Sequence, residues 1–336
     1  MDVIDVKTLV DLIVVRARVD KTAPDPTLRN GWRTDNLFMG DVDALVVGQN
    51  NDPSAYAKIG RQVLAKVRDL PEMAVLAQLA ILRGERLLTA TPEREKLILQ
   101  FAQELETAIS ILPDGTRKMR CKSLFEYHMG IFYETYGRFD LAADAHTRAA
   151  KEADRFGDRP GAAISHFMET VCRLQDALRT DRPSDELETI FSDMEKKFAQ
   201  LVEAMYGSAL EVQWAEGNCP ALMIEACVWL DRTHIKWNDW VTTAIAAAEK
   251  LGRAWEPIAE FVRAVDMDNH GDPQTDEALY AIAKGGDVNE RRATAFLILA
   301  RHAIQSGKAN EAINIVEQIP VQGAQHVRTI AERMFK

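Results

Sequence analysis

From Ser54 onward, apolar residues recur at three- and four-residue intervals, the spacing that puts them on one face of an α-helix. The pattern predicts helices over 54–69, 72–90, 92–112, 117–136, 139–156, 160–179, 184–206, 220–231, 235–252, 256–265, 275–284, 290–306, 309–319 and 322–335. Glycine or proline falls at nearly every boundary (Pro71, Pro92, Gly137, Gly157, Pro183, Pro220, Gly252, Gly307 and Pro320 among them), where it closes one helix and opens the next. Short linkers lay successive helices antiparallel. No alternating β-branched run competes, so the fold class expected is all-α. Residues 1–53 read differently. An amphipathic helix from Val3 to Val15 is followed by a stretch rich in Pro and Gly, whose one apolar run, 44-ALVVG-48, is either a short strand or a helical turn. The organisation expected is an N-terminal helix plus irregular arm over 1–53 and a helical-repeat domain over 54–336.

The hairpin 123–136/139–156 shows how such helices are meant to touch. Phe125, Met129, Phe132 and Tyr136 form one stripe, and Ala142, Ala145, Ala149, Ala153 and Phe156 the facing one. Gly130 has no side chain to hold the backbones apart and Ala142 has almost none, so the two together predict a close ridge-and-groove contact. Gly137 supplies the backbone freedom that the turn needs.

Gly130, Tyr133, Gly137, Ala142 and Ala149 follow a spacing that returns as Ala300, Ala303, Gly307, Ala312 and Ile319. This spacing resembles the tetratricopeptide repeat, a two-helix unit with small and aromatic residues at those offsets. The chain departs from that repeat at Glu126, where it usually has Trp, at His146, where it has Phe, and at Asp154, where it has Pro. The resemblance implies a right-handed α-solenoid of antiparallel hairpins, partly degenerate, in which each hairpin is stabilised by its neighbours. It also implies that the first helix of each pair lines a concave face that binds proteins or peptides. The inward positions on that geometry are Leu124, Tyr127, Ile131 and Glu134 in one unit, and Thr294, Leu297, Arg301 and Gln305 in the other.

Composition narrows the partners. A net charge of −10 without a basic run argues against a nucleic-acid surface. Cys121, Cys172, Cys219 and Cys227 are widely spaced, with no C-x-x-C pair, and read as packed, reduced thiols of a cytoplasmic protein. The Val3–Val15 segment carries Asp5, Lys7 and Asp11, so it is neither a secretory signal nor a membrane span.

The search for catalytic apparatus is negative. There is no phosphate-binding glycine loop and no G-x-S-x-G elbow, and none of the seven histidines has the helical spacing of a metal pair. The nearest pair, Asp231 and His234, reads as a cap or surface contact. The run 266-DMDNHGDPQTDE-277 has the oxygen spacing of an EF-hand loop, with His270 and the proline at position eight as misfits. Its plainer reading is an acidic interhelical loop capped by Asp272 or Thr275. In 181-DRPSDELE-188, Ser184 is expected to cap the next helix as half of a capping box. Five of the six tryptophans lie between Trp214 and Trp255, mostly as packing, while Trp237 and Trp240 share a helix face and could anchor a partner. The function expected is a non-catalytic scaffold or adaptor binding a protein or peptide through Tyr127, Ile131, Glu134, Leu297, Arg301, Gln305, Trp237 and Trp240, with no metal or cofactor. Two alternatives stay open: a structural subunit that self-associates into a larger assembly, and an all-α enzyme with a pocket between helices.

Overall fold

In the computed structural model the chain is all-helical, without a strand among the described residues. Described are residues 53–336 except Leu87, Thr89, 209–210, 286–288, Val321 and Lys336, together with Val10, Asp11 and Val14. The 44-ALVVG-48 run and the rest of the N-terminal arm lie outside the described residues. No helix among those described is long and apolar enough to cross a membrane.

The helices are α1 (Pro53–Val67), α2 (Pro71–Arg86), α3 (Pro92–Ser110), α4 (Thr116–Thr135), α5 (Phe139–Phe156), α6 (Arg159–Arg179), α7 (Ser184–Met205), α8 (Cys219–Trp229), α9 (Trp237–Leu251), α10 (Glu256–Asn269), α11 (Thr275–Lys284), α12 (Asn289–Gln305), α13 (Ala309–Glu317) and α14 (Gln325–Arg333). They form two compact units. The first comprises the described residues up to Phe132 with Asp144–Ser165, and the second comprises Tyr133–Ala143 with His166 onward.

In the first unit α1 packs on α2 and α2 on α3. The Thr91 hydroxyl caps α3 by accepting from the Arg94 N–H at 3.2 Å, and Pro92 occupies the first turn, where a missing N–H costs nothing. Along α4 and α5 the contact is close, in a form that the sequence did not anticipate. A Cβ on Gly130 would lie 2.6 Å from two ring atoms of His146, so the space that glycine leaves open is filled by an imidazole rather than by the opposite backbone. The Ser123 hydroxyl donates to the Ala149 carbonyl at 3.0 Å, and Glu126, buried, pairs with Arg148 at 2.9 Å. Two of the departures from the repeat consensus, His146 and Glu126, are therefore contacts of this hairpin.

In the second unit, each helix from α8 to α13 packs on the next, and α14 returns against α12. Helix ends are closed in one recurrent way: the N–H three residues past the helix bonds back to a carbonyl five residues earlier, as from Lys308 to Ala303 (2.8 Å), Arg182 to Ala177 (2.9 Å) and Arg232 to Cys227 (3.1 Å). At the first of these Gly307 takes the left-handed conformation, but at the other two an aspartate does, Asp181 at φ 59° and Asp231 at φ 53°.

Three local expectations are revised. Between α7 and α8 lies a π-helix, Val212–Asn218, that the spacing did not predict. Pro220 cannot donate to Glu216 and its ring would crowd that carbonyl in an α register, and the wider π turn removes the conflict. Ser184 opens α7, with Pro183 in the cap position and no side-chain cap. Helix α10 runs on to Asn269, so Asp266 and Asp268 are helical and cannot wrap an ion as an EF-hand loop does. Asp266 accepts from the Trp237 indole at 2.9 Å, and Asp272 accepts from the Gln274 N–H at 2.8 Å in a turn ahead of α11. The cap position of α11 is Gln274 and carries no side-chain cap, so neither Asp272 nor Thr275 caps the helix as expected.

Candidate functional site

The second unit carries a cleft of about 460 Å³ whose polar rim includes Glu188, Asp231, Arg301, Gln305 and Arg333. Leu178, Leu187, Leu230, Ile304, Ile330 and Met334 supply an apolar floor, and Trp229 lines the cleft beside them. Its shape follows from the two aspartate-terminated helices. Arg301, from α12, donates to the Val228 carbonyl at 2.9 Å and pairs with Asp231 at 3.2 Å. Arg333, from α14, donates to the Leu178 carbonyl at 2.6 Å and pairs with Asp181 at 2.9 Å. Each guanidinium thus adds a side-chain donor to a last-turn carbonyl that already accepts the aspartate N–H (Asp231 to Val228, Asp181 to Leu178), and places positive charge at the negative pole of the helix. Burial lowers the pKa of Arg301, and the Asp231 and Asp268 carboxylates oppose that shift, so the side chain stays charged.

Behind Trp229 the polar groups form a circuit of two short hydrogen-bonded chains. The indole N–H donates to the Thr294 hydroxyl at 3.0 Å, and that hydroxyl donates to Glu225 at 2.8 Å. One turn before Thr294 on the same helix is Glu290. Its carboxylate accepts from the Gln175 amide, whose same nitrogen donates to Glu134 at 3.3 Å. His326 stands beside both chains: its Nε2 lies 3.6 Å from Glu290, and its imidazole sits edge-on between Phe139 (5.2 Å) and Trp229 (4.5 Å). Burial pushes the His326 pKa down to about 3, so it is neutral. Burial, reinforced by the charges of Glu225 and Glu134 and opposed by the Gln175 hydrogen bond and by Arg291, raises Glu290 well above the usual carboxylate range.

Of the residues expected to meet a partner, Arg301 is half-buried and Gln305 exposed, and both line this cleft. Leu297 is fully buried, and Trp237 and Trp240 are 4% and 5% exposed. These three are corrected from surface to packing: Trp237 is held by Asp266, and Trp240 stacks on His234 at 4.6 Å. Thr294, placed on the same inward stripe, is buried in the polar circuit. Leu124, Tyr127, Ile131 and Glu134 are all half-buried on α4, in contrast to the buried Phe125, Met129 and Phe132. Tyr127 packs edge-on against His146 at 5.6 Å, and Glu134 belongs to the circuit. Asp231 and His234 do not meet each other; His234 pairs with Glu195 at 3.0 Å. Residues that the sequence reading missed are Gln175, Glu225, Trp229, Glu290, His326 and Arg333. They come from four helices, and the only local signal was the Glu290/Thr294 pair, four apart on one helix face.

A second cluster lies on α10–α12. His302 is clamped by Asp268 on Nε2 and Asp276 on Nδ1, both at 2.7 Å, and these partners, against the opposing effect of burial, raise its pKa to about 9. The folded value lies above the ordinary ~6.5, so the clamp stabilises fully below about pH 6.5 and is lost as pH rises through about 9. Because the side chain is partly exposed, screening reduces the clamp's worth to about 1–2 kcal/mol. His302→Ala is expected to show that loss in denaturant melts at pH 6, and the two proteins should converge as the pH passes 9.

Compared with protein-family models, with curated proteins and with solved structures, the chain shows no significant match to any.

Proposed function

We propose that the chain is a non-catalytic helical-repeat protein, a right-handed α-solenoid of the tetratricopeptide type with degenerate repeats, acting as a cytoplasmic scaffold or adaptor. Its second unit binds a segment of a partner protein in the cleft between Arg301 and Arg333. The observation that carries the reading is that Arg301 and Gln305, two positions that repeat geometry turns inward, open onto an aliphatic floor within a rim of mixed charge. The repeat offsets on α12 and α13 support it: Ala300, Ala303, Ala312 and Ile319 are buried around the turn at Gly307. Both cleft arginines already hold a carbonyl and an aspartate, so the rim offers no uncompensated cation and a strongly anionic ligand gains little. A peptide with an aliphatic side chain for the floor, its backbone meeting Gln305, fits better.

A photo-crosslinking residue at Gln305 in the native host tests this, with one at Glu311, which does not line the cleft, as the control. A discrete crosslinked protein is expected at 305 and not at 311, reduced about tenfold when Ile304→Arg places a charge on the floor. Equal labelling at both positions, or none at 305, would overturn the reading.

A further inference from the structure

The polar circuit behind the cleft is more than a satisfied network. Three carboxylates stand close together here: the Gln175 amide reaches both Glu290 and Glu134, the Thr294 hydroxyl donates to Glu225, and the histidine beside them is uncharged. Two fully buried groups facing Glu290 make no hydrogen bond: the Gln175 carbonyl oxygen, and the His326 ring on both nitrogens. A neutral imidazole always has one nitrogen that accepts. In the tautomer with the proton on Nδ1, the Nε2 lone pair 3.6 Å from the carboxylate oxygen is unsatisfied while the acid is ionised, and becomes a partner once the acid carries a proton. Closing that gap to hydrogen-bond length needs a shift of less than about 1 Å. His326 is the ring against which Trp229 packs, and Trp229 is fixed at its other end through Thr294 and Glu225. The Glu290 side chain is 19% exposed, so the proton has a way to solvent.

We propose that a proton on Glu290, donated in a hydrogen bond to His326, sets the position of Trp229 and thereby links occupancy of the cleft to the protonation of one acid. The groups facing Glu290 are Glu225 from α8, Glu134 from α4, Gln175 and the buried, protonated thiol of Cys172 from α6, Arg291 from its own helix and His326 from α14. With Glu225 and Glu134 opposing a third charge and burial doing the same, the proton is held into the range where an ordinary carboxylate has lost it. The idea rests on the cleft as the binding site only for its consequence; the proton-linked Trp229 is a property of the free protein.

The test follows the ¹⁵N-indole resonance of Trp229, assigned with Trp229→Phe, and the ring nitrogens of His326, from pH 5 to 9 in the free full-length chain. A one-proton titration common to both residues is expected, and Glu290→Gln, a neutral isostere, should hold Trp229 at its low-pH position throughout. Resonances that do not move, or that titrate unchanged in Glu290→Gln, would overturn the proposal. The two-residue titration in the natural sequence decides the matter should Glu290→Gln fail to fold. Crosslinking from position 305 at the same pH values then tests the link to the cleft. A yield that follows the titration supports it. A constant yield with a titrating Trp229 refutes the linkage alone, and no crosslink at any pH refutes the binding site while leaving the proton where it is.

Discussion

Gly130→Ala should destabilise the first unit by about 2–3 kcal/mol, although alanine is ordinarily the better helix former by about 1 kcal/mol. The added methyl carbon would sit 2.6 Å from Cε1 and Nε2 of His146 and 2.8 Å from its Cδ2. The ring is fully buried and packed against Tyr127, so it has no free volume into which to turn. A double-mutant cycle separates this contact from propensity. In Gly130→Ala/His146→Ala the new methyl occupies space that the ring has vacated, and the pair should cost about 1–2 kcal/mol less than the sum of the single changes. Hydrogen exchange of the α4 and α5 amides reads the effect in the unit concerned. A cost below about 1 kcal/mol, or strict additivity, would mean that the hairpin can part to admit the methyl group.

The same pair shows what the sequence can and cannot convey. Period and punctuation gave the helices, because an apolar face at 3.6-residue spacing and a glycine or proline at each end are local properties. That Gly130 marks a close approach was also legible, since a small residue in a stripe of large ones needs a reason. What fills the space was not: His146 reads as a defect in the repeat consensus, and only the partner helix shows that a flat ring is what fits. Helix ends follow the same division. Gly307 announces its turn, whereas Asp181 and Asp231 do the same work unannounced, because an aspartate is as common on an exposed helix as at its end. The π-helix before Pro220 was hidden for a related reason: the conflict that produces it is between Pro220 and a carbonyl four residues back, and spacing rules do not weigh carbonyls.

The candidate site was legible only where one helix contributes both residues. Arg301 and Gln305 lie a turn apart, and repeat geometry brings them to one face. Arg333 joins them from far along the chain, and its role depends on where the last turn of the Leu178 helix presents its carbonyl and Asp181. Burial misled in the other direction. Leu297, Trp237 and Trp240 have the character of partner anchors, but the same aromatic and aliphatic area is what a packed interior consumes, and here the interior takes it.

Thr294→Val should prove the costlier change in the second unit, about 3–4 kcal/mol, while leaving shape and volume almost unaltered. The hydroxyl it removes works twice, accepting from the Trp229 indole and donating to Glu225, and all three residues are buried. Loss of a hydrogen bond to an ionised carboxylate costs about 1.5–3 kcal/mol, and the orphaned indole N–H adds about 1–3 kcal/mol. Thr294→Ser keeps the hydroxyl and gives up one methyl group, so it should stay within about 1 kcal/mol of the natural protein. The contrast between these two variants assigns the cost to the oxygen. Denaturant unfolding followed by tryptophan fluorescence is the suitable measurement, because Trp214, Trp229, Trp237, Trp240 and Trp255 all belong to the second unit. Combining Thr294→Val with Trp229→Phe removes the stranded donor as well, and should recover about 1 kcal/mol relative to the sum. If Thr294→Val and Thr294→Ser melt together, the hydroxyl carries no weight. Trp229 would then be held by the His326 and Phe139 rings alone, and the circuit behind the cleft would be a set of neighbours instead of a connected chain.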